Sequence, residues 1–245
     1  MARTDTLGHF LTDVADAIRE KSGTSEAIQA SSFDTAIANI PSGGDASEYF
    51  NLTLTAGSSN ANGITHSITS IPSNFTVPSG TTSLAYLFAN CDNLTNVPLF
   101  NTSNVTNMNN MFYLCMHLQS IPLLDTSNVT NMQAMFSSCI RLLSVPSLNT
   151  SNVTNMQTMF IACNRLTTVP QFDMSSVTNI TNMFSSCNAL TNDSLNNILA
   201  SCISATSYTG TKTLKQMGLT SQQATACTSL SNYNDFVSAG WSTGY

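Results

Sequence analysis

Along the middle of the chain the apolar residues recur in two registers. Val105, Met108, Met111, Phe112, Cys115 and Leu118 follow steps of three and four, which predicts a helical or 3₁₀ turn. Thr102 or Ser103, just ahead of this run, is placed to cap its first free N–H groups. Leu118–Leu124 is short, apolar and partly β-branched, which predicts a short strand, with Pro122 where that strand leaves its ladder. The whole pattern returns every 24 residues: Phe at 88, 112, 136, 160 and 184, Cys at 91, 115, 139, 163 and 187, Leu at 94, 118, 142, 166 and 190. One turn plus one strand cannot bury its own apolar face, whereas stacked copies can. The expected fold class is therefore an α/β repeat solenoid with a short parallel β-sheet, neighbouring strands lying about 4.8 Å apart.

The motif Asn101-Thr-Ser-Asn-Val-Thr-Asn-Met108 recurs from Asp125 and Asn149, and more loosely from Asp173. With the following M-F-x-x-C-x-x-L it resembles the BspA-type leucine-rich repeats of bacterial surface proteins over about residues 81–195. The resemblance implies a leucine-rich right-handed solenoid with a parallel sheet on one face, and adhesion or binding rather than catalysis.

The ends read differently. Residues 5–23 are expected to form a helix, with Leu7, Leu11, Val14 and Ile18 on an a/d seam suited to oligomerisation. A second short helix should start at Ser32 and end at the Pro41-Ser-Gly-Gly44 linker. This stretch resembles the N-terminal module of tail and fibre proteins of phages of Gram-positive bacteria, which implies assembly or attachment; a plain two-helix cap is the alternative. Residues 45–80, with the alternating run Tyr49–Thr55, suit a β-rich cap. Beyond the repeats, 196–245 should form a C-terminal cap. A helix there begins near Asp193 and carries Leu195, Ile198, Leu199 and Cys202, and a second over about 220–230 is opened by the capping-box spacing Thr220-x-x-Gln223. Trp241 is expected to pack over the last coil.

Composition narrows the function classes. Only 8% of the 245 residues are charged, and the net charge is −6. Residues 1–48 hold eleven of the twenty charges, and 50–190 hold only Asp92, Asp125, Arg141, Arg165 and Asp173. The seven basic residues are scattered along the chain, so no nucleic-acid partner is expected. No run reaches the ~18 apolar residues of a membrane helix, and no membrane partner is expected. The first twenty-one residues lack an apolar signal core, so the chain is expected to be made in the host cytoplasm and to stay soluble.

Candidate chemistry is sparse. Five of the seven cysteines share one column, which fits a buried thiol ladder and no metal pair. His9, His66 and His117 lie in separate segments, and His117 shares a solvent-facing column with Arg141 and Arg165. Asp125 and Asp173 alternate with Asn101 and Asn149, which points to turn-making rather than acid–base chemistry. No enzyme activity, catalytic residue, metal or cofactor is expected. What remains is surface. Columns that vary between copies should face outward, which singles out Asn96, Ser120, Ser144 and Thr168, with Gln119 and Thr167 one position earlier. Such neutral hydrogen-bonding groups suit glycans or polar polymers better than phosphates; a merely solvated face is the alternative.

The expected function is that of a phage virion protein, in the tail fibre or baseplate, attaching to the host cell surface. Its expected partners are other tail proteins through residues 1–44, a bacterial surface polymer or protein, and further copies of itself, a trimer by preference. The alternatives are a bacterial cell-surface adhesin and a purely structural decoration or fibre protein.

Overall fold

In a computed structural model the chain divides into two units, Met1–Phe50 and Asn51–Tyr245. The structure describes residues 69–71, 73, 75–77 and 80–245, all in the second unit. The expected N-terminal helices, the seam Leu7, Leu11, Val14 and Ile18, and the run Tyr49–Thr55 lie outside the described residues.

The repeats stack as 24-residue coils, but the expected α/β solenoid with a parallel sheet does not form. Among the described residues there is no strand and no sheet, only isolated parallel bridges such as Asn107 to Asn131 and Asn131 to Asn155. Three short helices are present: α1 (Asn192–Ser204), α2 (Ser221–Cys227) and α3 (Tyr233–Ser238). α1 starts at the end of the repeats, and α2 and α3 lie beyond them.

The reason lies in the backbone of the apolar run. Steps of three and four also fit overlapping tight turns, and that is what forms. Two residues per coil have positive φ, none of them glycine: Asn110 (55°) and Leu114 (60°), then Ala134 (52°) and Ser138 (64°), then Thr158 (52°) and Ala162 (61°). A left-handed residue every fourth position breaks an α-helix. The amides then alternate in direction. Met111, Tyr113 and Cys115 donate back three residues to Met108, Asn110 and Phe112. Met108, Asn110, Phe112 and Leu114 donate instead to the next coil, to Asn131, Gln133, Met135 and Ser137, each at 2.9 Å. Left-handed backbone costs roughly 1–2 kcal/mol per residue, and the inter-coil bonds it permits recur in every copy.

The expected strand at 118–124 fails for a different reason. Gln119 N–H reaches Thr95 O at 3.3 Å, but Pro122, three residues further on, has no N–H to extend the pairing. Neither Thr102 nor Ser103 acts as a helix cap. The Thr102 hydroxyl donates to Asp125 O of the next coil, and Thr126 and Thr150 repeat that bond to Asn149 O and Asp173 O.

Inside the stack each apolar column is buried: Val105, Met108, Met111, Phe112, Cys115 and Leu118, with their copies. Phe88, Phe112, Phe136, Phe160 and Phe184 form a continuous ring stack with centroids 5.5–5.6 Å apart. Phe75 closes its front end, meeting Phe100 edge-on at 5.1 Å.

The last coil is closed by α1, and this cap reads as expected from the sequence. Thr191 caps the helix through the Ser194 N–H, and Leu195, Ile198, Leu199 and Cys202 are buried. Three serines on one face of α1 then satisfy the coil edge. Val169, Phe172 and Met174 donate their amides to the hydroxyls of Ser194, Ser201 and Ser204. The capping box Thr220–Gln223 opens α2, and Gln223 also donates to Cys187 O of the last coil. Trp241 is buried, stacked on Tyr208 at 5.6 Å.

Among the described residues one buried hydroxyl is unpaired. Thr81 occupies the column that Val105, Val129, Val153 and Val177 fill in later coils, and its Oγ1 has no partner. Thr81→Val keeps the shape and removes the orphan, so it should stabilise the protein by about 1–2 kcal/mol. Chemical denaturation measures this, and a lower midpoint for the variant would contradict it.

Candidate functional site

Stacking turns every surface position into a row that runs along the coils. The row expected from the sequence exists as a line. Gln119 N–H donates to Thr95 O, Leu143 N–H to Gln119 O and Thr167 N–H to Leu143 O, at 3.0–3.3 Å. Asn96 pairs with Ser70, and Ser144 with Thr168, in single parallel bridges. Asn96, Gln119, Ser120 and Thr168 are exposed, and Ser144 and Thr167 half-buried. The line is not uniformly polar. Leu143 interrupts it at 39% exposure, and Leu99 and Leu123 beside it are 65% and 60% exposed.

A more regular row was missed. Thr82, Thr106, Thr130, Thr154 and Thr178 are all exposed. In each of the last four, both the amide and the hydroxyl donate to the carbonyl of the threonine one coil earlier, the amides at 2.8 Å and the hydroxyls at 3.1–3.2 Å. Next to it, Asn128 and Asn152 donate from Nδ2 to Ser103 O and Ser127 O. These side chains are held in place before any partner arrives. Their sequence signal is the alternation Asn104-Val105-Thr106, polar–apolar–polar with only Val105 buried. Choosing outward positions by variability passed over it, because these residues serve the backbone and recur unchanged.

The turn column has little reactive character. Asp125 accepts from the Ser127 hydroxyl at 2.7 Å and its amide at 3.0 Å, which hold its carboxyl below the ordinary range. Asp173 is lowered in the same way by Ser175. Asn149 makes the same pair of bonds to Ser151 without a charge.

All seven cysteines are buried thiols outside any disulfide. Four of them donate S–H to the carbonyl of a phenylalanine one coil back: Cys115 to Phe88, Cys139 to Phe112, Cys163 to Phe136 and Cys187 to Phe160, at 3.0–3.1 Å. Burial raises the thiol pKa, to about 12 for Cys91 and Cys187 and about 11 for Cys227. No group of three His, Cys, Asp or Glu able to hold a metal occurs among the described residues. None of their helices is long and apolar enough to cross a membrane.

His117, Arg141 and Arg165 follow one another in a single row. The arginines are exposed, and His117 is half-buried with Nδ1 at 2.6 Å from Asp92 O. The structure thus brings together basic residues that lie 24 apart in sequence.

The comparison with known families falls on this coil region. Residues 82–198 match the family described as "Mycoplasma protein of unknown function, DUF285". That family is associated with BspA-like repeat proteins. The matched segment covers just under half of the chain, from the Thr82 row to Ile198 inside α1. No curated protein and no solved structure matches the chain.

The thiols give this region a pH signature. A thiol whose folded pKa is raised favours folding while it stays protonated, so its contribution is complete below about 9 and is lost as the pH climbs towards 11–12. Stability should hold to about pH 8.5 and fall above it, with all seven thiols closed to Ellman's reagent until unfolding. Thiol titration at native and denaturing urea checks this, and rapid reaction of the native protein would refute it.

Proposed function

We propose that the chain is a non-enzymatic attachment protein of a phage particle, placed in the tail fibre or baseplate, which displays the coil stack to the bacterial surface. The observation that carries this reading is the set of exposed polar rows whose side chains are already fixed by hydrogen bonds. The Thr106–Thr178 row and the Asn128–Asn152 row lose little conformational freedom when a partner binds. Rows of this kind are matched to an extended polymer better than to a small molecule, because the same group recurs once per coil. Residues 1–44 support the particle half of the reading through their resemblance to phage tail and fibre modules. In it, the seam Leu7, Leu11, Val14 and Ile18 joins copies, with three as the preferred number, and neighbouring tail proteins bind the same module.

A bacterial cell-surface protein is the second reading, and the match to a Mycoplasma family favours it. Full-length protein incubated with purified walls from a panel of Gram-positive bacteria should sediment with the walls of at least one host. Antibody against it should label purified phage particles from that host. Labelling of the bacterial surface and not of particles would replace the first reading with the second.

A further inference from the structure

Stacking imposes a rule on charge. A side chain stands beside its own copies, so a charged column sets like charges about 4.8 Å apart along the backbone. The coils obey that rule elsewhere. The turn column alternates Asn101, Asp125, Asn149 and Asp173, which keeps its two carboxylates two coils apart. Among the described residues one column breaks it: Arg141 and Arg165 occupy the same position on adjacent coils, both exposed, and neither forms an ion pair with a described residue. His117 extends the row by one coil in the other direction, with Nδ1 on Asp92 O and its other ring nitrogen uncommitted. The half-buried Asp92 is the acid at that end, two coils from Arg141. The row lies two residues along the coil from the Gln119–Leu143–Thr167 line, so a molecule lying on that line meets the arginines at its edge.

We infer that the row His117–Arg141–Arg165 binds the phosphate groups of a linear phosphodiester polymer of the bacterial wall, which the adjoining polar line aligns along the coils. Two guanidinium forks on one edge take successive phosphates, or both take one, with paired N–H donors. An anion between them turns their mutual repulsion into attraction. The inference rests on the attachment reading and names the chemistry of the polymer.

The test uses the full-length protein with poly(glycerol phosphate) as probe, a neutral hexamer of β-1,4-linked N-acetylglucosamine as comparison, and duplex DNA as a second polyanion. Wild-type protein should bind poly(glycerol phosphate) at low ionic strength and release it as salt rises about tenfold. The double substitution Arg141→Gln, Arg165→Gln should weaken this at least about tenfold, with an unchanged melting temperature because both side chains are exposed. Equal binding by the double variant, or no binding by the wild type, overturns the inference. Equally tight binding to DNA overturns the commitment to a wall polymer. Walls stripped of phosphate by acid separate the two readings. Equal sedimentation with intact and stripped walls leaves attachment standing and removes the phosphate role. Binding to poly(glycerol phosphate) without binding to any wall does the reverse.

Discussion

The structure depends on where the amide protons of the apolar run point. From Asn110 to Cys115 they alternate, one to the coil ahead, the next to a carbonyl three residues back. A helix would spend all of them on itself and leave each coil to be held by side chains alone. A sheet would direct them all outward but needs a longer extended run than each coil has, with proline at 98, 122, 146 and 170. The alternation gives each coil a closed turn and a bond to its neighbour at once. Its cost is left-handed backbone at ten non-glycine positions, from Tyr86 to Ser186. The Phe stack, the thiols that bond phenylalanine carbonyls and the threonine rows all follow from the resulting register. So does the need for α1, whose serines stand in for the missing next coil at Val169, Phe172 and Met174.

Much of this was legible in the sequence. The 24-residue period gave the buried columns, from Val105 to Leu118, and the starts of α1 and α2 were marked by Asp193 and the Thr220–Gln223 box. The secondary structure within a coil was not legible. Steps of three and four mean one buried face, which a helix and a chain of tight turns share. The left-handed positions are filled by Tyr, Asn, Leu, Ala, Ser and Thr, so no glycine marked them. The outward face was half legible. Gln119, Ser120 and Thr168 do face outward, but Leu99, Leu123 and Leu143 share their side. The column His117–Arg141–Arg165 was legible as a solvent-facing row, whereas the Thr106 row was passed over because its residues recur unchanged.

The scarcity of charge in the repeats, residues 81–190, has the same origin. Each surface residue is its own neighbour in the next coil, so ionic columns would repel along their length. Asn, Thr and Ser avoid this and can donate to the preceding coil as well, as Thr130 does through both its amide and its hydroxyl. The neutral surface is therefore a condition of the fold before it is a property of any binding site. Arg141 and Arg165 are the places that depart from it.

The central claim is that alternate amides of the apolar run bond to the next coil and not to a carbonyl four residues back. The most direct measurement is the scalar coupling across the hydrogen bond of the Phe136 amide, by nuclear magnetic resonance on isotope-labelled protein. The account predicts coupling from the Phe136 nitrogen to the carbonyl carbon of Met159, one coil ahead, across a 2.9 Å bond. Coupling to the carbonyl of Met132, four residues back, would mean an α-helix at this position and would contradict it.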